Sequence, residues 1–251
     1  MSTNLITGTR AVGPIAAALA KHGGLLRTEQ PDAPSLSDWQ IARLGKITGS
    51  AFNRVTRGRG GKGWSQTADS YLHELIFEHI TGQPASGFSG NAATDWGKEN
   101  EPEAIRIYQE RTGHKVKTGQ FHAAPGFQLV GCTPDGVGKK GLEVKCPYGP
   151  KNHIRTLINR EVPDEYEDQV QGHMLCTGRD YCDFVSFDPR MPLQYGFVLV
   201  EVERSPSVMQ ELRERLEDFE LHLIETLETL EIDWKNPVWK KSNVHQQNQQ
   251  Q

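Results

Sequence analysis

Apolar positions along the chain follow two different periods. Over residues 67–81 they recur three and four apart (Tyr71, Leu72, Leu75, Ile76, Ile80), which predicts an amphipathic helix buried on that face. WGKENEPEAIRIYQERTG, residues 96–113, predicts a second helix with acids in its first turn, where the helix dipole favours them. In a third, residues 164–178, Tyr166, Gln169, Val170 and His173 fall on adjoining faces. Ser205-Pro206 opens a long fourth helix with Val208, Leu212, Leu216, Phe219, Leu223, Leu227 and Leu230 on one stripe. Period-two runs predict strands at 183–187 and 195–203 and a hairpin in FQLVGCTPDGVGKKGLEVKCP, residues 127–147. Its arms are read as Leu129-Val130 leading to Asp135, and Leu142 to Lys145, joined by a turn over residues 136–141. Upstream lie a helix candidate at 14–22, a Pro/Asp/Ser linker, and a short helix at 39–43 capped by Ser37 or Asp38. With 251 residues, 36% of them apolar, the chain can bury one α/β core. The expected organisation is an N-terminal arm (1–36), a single domain (37–234) and a polar tail (235–251).

The hairpin carries the candidate chemistry. Alternate strand residues point to opposite faces, so Glu143 and Lys145 share one face while Val144 points into a core. Asp135 can join them across the hairpin. Two carboxylates beside an ammonium make a site for a hard divalent cation, Mg²⁺ or Mn²⁺, that keeps waters and takes further oxygens from a substrate phosphate. PD, a spacer and ExK therefore point to phosphodiester hydrolysis, although this short pattern also arises by chance in proteins with no such role.

The net charge of −4 argues against a protein that coats nucleic acid indiscriminately, but whole-chain charge says little when the charges are segregated, as they are here. Residues 39–68 hold six basic side chains (Arg43, Lys46, Arg54, Arg57, Arg59, Lys62) and no acid. RLGKITGS, residues 43–50, places Arg43, Thr48 and Ser50 among glycines, a set that suits a phosphate and equally suits a turn with a capping serine. RGRGGKGW, residues 57–64, lacks the glycine spacing of a P-loop. Arg54, Arg57, Arg59 and Lys62 are candidate duplex contacts, or the charges of a solvated loop. Glu99, Glu101 and Glu103 are acids of the second helix, available to the dipole or to a metal. The four cysteines (Cys132, Cys146, Cys176, Cys182) show no zinc or iron–sulfur spacing and read as reduced thiols. Residues 13–20 are too short, and lack the basic flank, for a signal peptide; nothing approaches a membrane span. A cytoplasmic protein is expected.

Together RLGKITGS, the basic glycine loop, WGKENE, CTPDG, GLEVKCP, DQVQ and SFDPR resemble the bacteriophage lambda exonuclease family, the YqaJ-type viral recombinase nucleases. The resemblance spans about residues 39–203. It implies an α/β fold of the PD-(D/E)xK, restriction-endonuclease-like type, with a mixed central β-sheet flanked by helices. The implied activity is Mg²⁺-dependent 5′→3′ digestion of linear double-stranded DNA, with Mn²⁺ able to substitute and two ions per site, leaving 3′ overhangs for phage or prophage recombination by strand annealing. By position, the resemblance makes Asp135 and Glu143 metal ligands with the Val144 carbonyl, and Lys145 the residue that positions or activates water. Glu101 and Gln169 would complete the catalytic group, Glu101 facing the metals. Arg43, Ser50 and Thr133 would hold a terminal 5′-phosphate, Thr133 standing where the family has Ser. Thr94 stands where the family has an apolar strand-separating wedge. A homotrimeric ring and a single-strand annealing partner are further implications.

Overall fold

The computed structural model describes residues 36–58, 61, 63–85 and 92–237. Arg59, Lys62, the helix candidate at 14–22 and the polar tail beyond 237 lie outside the described residues. Helix α1 (Asp38–Arg43) begins at Ser37, whose hydroxyl accepts from the Gln40 amide while the Gln40 side chain accepts from the Ser37 amide, a reciprocal cap. Strand β1 (Ile47–Thr48) leads into a 3₁₀ helix (Gly49–Arg54). Helices α2 (Gln66–Thr81) and α3 (Ala92–Thr112) follow, then β2 (His122–Ala123), β3 (Val130–Cys132), β4 (Gly136–Val137) and β5 (Gly141–Lys145). The second half holds α4 (Pro150–Asn159), α5 (Glu167–Thr177), β6 (Tyr181–Phe187), a short α6 (Leu193–Gly196), β7 (Phe197–Glu203) and α7 (Pro206–Thr229).

The strands form two mixed sheets. The smaller has the order β1-β3-β2, with β1 parallel and β2 antiparallel to β3. The larger has the order β4-β5-β6-β7, in which only the β5–β6 pair is parallel. This corrects the expected hairpin: its true arms are β4 and β5, and Val130 belongs to the other sheet. Pro134 has no N–H to donate to a ladder, so the chain leaves the smaller sheet there and Asp135 enters the larger.

Helices bury both faces of the larger sheet. On one, Ala104, Ile105, Ile107 and Tyr108 of α3 pack on Leu142, Val144, Val185 and Phe187. On the other, α5, α7, α2 and the 3₁₀ helix close a larger core that includes Phe184, Val170, Met174 and Phe52. The α7 stripe is fully buried at Leu212, Leu216, Phe219, Leu223 and Leu227, each side chain contributing about 1.5–3 kcal/mol of transfer free energy. Its predicted extension is corrected at Leu230, which is exposed past the helix end. A Cβ on Gly172 of α5 would meet the Phe52 ring at 2.3 Å, so glycine is what lets the 3₁₀ helix sit directly against α5.

Other boundaries moved. Helix α3 starts four residues before Trp96, residues 164–166 form a 3₁₀ turn ahead of α5, and Tyr195 lies in α6 rather than in a strand. Ile80, expected in the core, is exposed, and its neighbour His79 is buried instead because its Nε2 lies 2.9 Å from the Gly45 carbonyl.

Candidate active site

Strand β5 sets the site. Val144 is buried against α3, while Glu143 and Lys145 point to the opposite face with Lys145 Nζ 2.6 Å from Glu143 Oε1. Asp135 arrives from the residue before β4, and its Oδ2 accepts the Val144 amide at 2.7 Å. Burial, then the Glu143 charge, pushes the Asp135 carboxyl up to about 8. Glu101, one turn inside α3 from Trp96, is pushed up to about 7 by burial and then by Asp135. Burial also raises Glu143. For Lys145 burial works to lower the ammonium pKa, but Glu143 and Asp135 outweigh it and the net shift is upward. Asp135, Glu101, Glu143 and Lys145 are therefore one electrostatic unit in which three acids share one ammonium.

The unit fits a cation. Glu143 Oε2 is buried and makes no hydrogen bond, while Oε1 has Lys145. His173 Nδ1 of α5 lies 3.1 Å from Oε2, but the two make no hydrogen bond. Burial, then the Lys145 and Arg43 charges, pushes that imidazole down to about 3, so it is neutral and brings no charge to the acid. A buried carboxylate oxygen with no donor is costly, and a divalent cation at Glu143 beside Asp135 would relieve it. Among the described residues no group of three His, Cys, Asp or Glu side chains is placed to hold a metal ion by itself. A site poor in protein oxygens leaves room for water and a phosphate.

A separate cavity of about 330 Å³ is lined by Trp39, Arg43, Thr48, Ser50, Arg54 and Glu78, among others. The Arg43 guanidinium lies 4.7 Å from the Trp39 ring and makes no ion pair among the described residues. Burial works to lower its pKa, and Asp135 is among the groups that counter this, so the cavity and the acids feel each other. The end of α2 fixes the approach: Glu78 accepts the Gly45 amide at 2.8 Å while His79 takes the Gly45 carbonyl. Gly45 has φ +69°, and a Cβ there would lie 2.8 Å from the His79 ring. Ser50 caps nothing; Thr48 precedes the 3₁₀ helix without a side-chain cap, and Ser50 is exposed on the first turn.

Thr133 does not line this cavity, and its Oγ1 is buried without a hydrogen-bond partner. Gln169 is half-buried in the first turn of α5, three residues after Tyr166, whose ring lies 5.0 Å from Lys145 Nζ. Arg54 is held by both Glu74 oxygens at 2.7 Å, and Arg57 pairs with Asp218. His173 was read from sequence only as part of a helix face. Its place four residues after Gln169, one turn along the same side, was the available signal.

An aspartate at the mouth of a hairpin, an ExK strand and a helix glutamate, on a mixed sheet covered by helices, define a nuclease fold of the PD-(D/E)xK type. Residues 38–180 match the YqaJ-like viral recombinase domain, and the chain belongs to that family. An alkaline exonuclease from Laribacter hongkongensis, LHK-Exo, is 32% identical with a TM-score of 0.70, over 77% of this chain and 95% of its own. The same enzyme in complex with dAMP gives 33% identity and 0.69 over the same shares. A phage-related exonuclease from Haemophilus somnus 129PT shares the fold at 18% identity, with a TM-score of 0.58 over 74% of this chain and 96% of its own. No curated protein matches the chain. Among the described residues no helix is long and apolar enough to cross a membrane.

Proposed function

We propose that the protein is a Mg²⁺-dependent exonuclease that digests the 5′-phosphorylated strand of linear double-stranded DNA in the 5′→3′ direction. The observation that carries this is the pairing of two unlike sites. A cavity with an uncommitted, part-buried guanidinium at Arg43 and an exposed hydroxyl at Ser50 stands within electrostatic reach of Asp135. A terminal phosphate held by Arg43 would deliver the adjacent phosphodiester to the acids, so binding of a non-reacting group orients the reacting one. Thr133, the third residue expected at that phosphate, is buried outside the cavity two residues from Asp135, and its hydroxyl would have to be uncovered to reach it. The dAMP bound by LHK-Exo is the kind of product stepwise digestion releases.

Asp135, Glu143, Glu101 and the Val144 carbonyl would hold the metal, Mg²⁺ or Mn²⁺, as one or two ions. When bound, it supplies positive charge for the phosphoryl oxygens and lowers the pKa of water. Lys145, anchored on Glu143, keeps its charge beside the scissile phosphate and orients the attacking water; Gln169 supports the same group from α5. Action in the bacterial cytoplasm, a ring-shaped homotrimer and a single-strand annealing partner complete this reading, which serves phage-type recombination.

The deciding assay compares linear duplexes with 5′-phosphate and 5′-hydroxyl ends, and a circular duplex, with and without Mg²⁺. Linear 5′-phosphorylated DNA should be degraded fastest and the circle spared. Arg43→Ala should lose about 10- to 100-fold on the phosphorylated end, the range for a hydrogen bond to a charged group. Equal rates on the two ends would remove the phosphate pocket, and cutting of the circle would make the protein an endonuclease.

A further inference from the structure

The SFDPR segment and Trp96 play no part in the site so far. Asp188 is fully buried and grips Arg190: Oδ1 accepts the Arg190 amide at 3.0 Å and Nε at 2.8 Å, and Oδ2 accepts Nη2 at 2.7 Å. The fork is thereby fixed, and Nη1 has no partner among the described residues. The guanidinium lies 4.8 Å from the Trp96 ring centroid, and Trp96 meets Tyr148 edge to face at 6.1 Å. Trp96 Nε1 is buried without a hydrogen bond, and Tyr148 is 53% exposed. A cluster serving only the core would cover the tyrosine and satisfy the indole.

Its position is as telling as its composition. Tyr148 follows Lys145 by three residues, and Trp96 precedes Glu101 by five on α3. The cluster therefore adjoins the acids. Arg43 is among the groups acting on Asp135, whereas Glu101 responds to Asp135 and Lys145. Of the acids, Asp135 is the one that feels Arg43 of the cavity, and Glu101 is the one on the helix that carries Trp96.

We propose that Trp96, Tyr148 and Arg190 form a stacking site for unpaired bases of the DNA end just beyond the scissile phosphate. The inference rests on the nuclease reading of the acid cluster. A strand whose terminal phosphate enters the Arg43 cavity and crosses Asp135 reaches this cluster next, after parting from its complement. Only bases out of the duplex stack can reach an aromatic face, and such stacking is sequence-tolerant because every base has a π-face. Arg190 adds a fixed cation over the indole, with Nη1 directed to a phosphate or a base edge.

The test is spectroscopic. A 5′-phosphorylated duplex with its three terminal pairs mismatched, and 2-aminopurine at the second nucleotide, is titrated to saturation with protein in EDTA. Wild type should quench the probe. Tyr148→Ala should recover most of the fluorescence at saturation, and Tyr148→Phe should quench like wild type. Full quenching by Tyr148→Ala, or loss of quenching in Tyr148→Phe as well, overturns the site. Arg190→Gln should recover part of the fluorescence at saturation; quenching equal to wild type removes Arg190 from the contact. Wild type that quenches but does not digest linear duplex with Mg²⁺ supports this site and sinks the nuclease reading. Digestion without quenching overturns this inference alone.

Discussion

The acid centre and the basic side of the molecule are built on opposite principles. Asp135, Glu143 and Glu101 sit on or against the most regular part of the fold, outnumber the one ammonium among them, and leave Glu143 Oε2 without a donor. Arg54 and Arg57, on the 3₁₀ helix and the loop after it, are already matched by Glu74 and Asp218. One region has an electrostatic deficit that something outside the chain must fill; the other has largely filled its own. Among the described residues Arg43 is the exception on the basic side, and it shares a field with Asp135. An unmet charge is thus a better guide to function here than charge density.

The largest effect separating the two regions should come from Lys145. It is anchored to Glu143 but supplies charge rather than metal oxygens, so Lys145→Ala should lower turnover by about 10³-fold, the upper end for loss of one transition-state donor, while calorimetric Mg²⁺ binding persists. Asp135→Ala should do the reverse on the second axis and weaken Mg²⁺ binding itself. Near-normal turnover in Lys145→Ala would show that the ammonium is only a structural counter-charge to Glu143.

A smaller effect, with a definite sign, concerns pH. The folded-state values of Asp135 and Glu101, about 8 and about 7, lie above those of unfolded carboxyls. Their contribution to the metal-free fold is therefore fully present below pH about 4 and is lost as pH rises through about 7 to 8. A cation must displace those protons at pH 6 but finds the acids ionised at pH 8.5. Mg²⁺ should raise Tm more at pH 8.5 than at pH 6, each kcal/mol of stabilisation appearing as about 2–4 °C. Equal shifts at the two pH values would place the cation elsewhere, and Asp135→Asn should shrink the difference.

The two regions also differed in how far the sequence disclosed them. Glu143, Val144 and Lys145 were readable because strand alternation is a local rule, and β5 obeys it. The first hairpin arm was misassigned because Val130 alternates equally well in either sheet, and only the break at Pro134 separates them. His79 and Ile80 exchanged places because a contact to Gly45, 34 residues away, outweighs helical periodicity. Helix α4 went unread since its buried positions are polar: His153 is held by Ser186 Oγ at 2.9 Å and the Tyr195 carbonyl at 2.8 Å. Likewise nothing near Arg54 in sequence announces Glu74.

The smallest predicted effect tests whether internal pairing limits the basic side. Arg57 pairs with Asp218 of α7 and stacks 4.0 Å over Trp64, so its cation arrives at DNA with a carboxylate attached. Such an exposed pair is worth only about 0–1 kcal/mol, and a phosphate could displace Asp218 from the guanidinium. It could not remove Asp218 from the contact, since that side chain would remain within the Debye length of about 10 Å at 0.1 M salt. Counterion release follows net charge delivered to the backbone, so Arg57 with Asp218 counts as nearly zero. Arg57→Gln should therefore change the log–log salt slope of DNA binding by well under one, whereas Asp218→Asn should steepen it by about one. Neutralising Arg57, Arg59 and Lys62 together should lower it by about two, the share of Arg59 and Lys62. A full unit lost in Arg57→Gln alone would mean that Asp218 swings clear of the DNA, and that the pairing on this side is no constraint on binding.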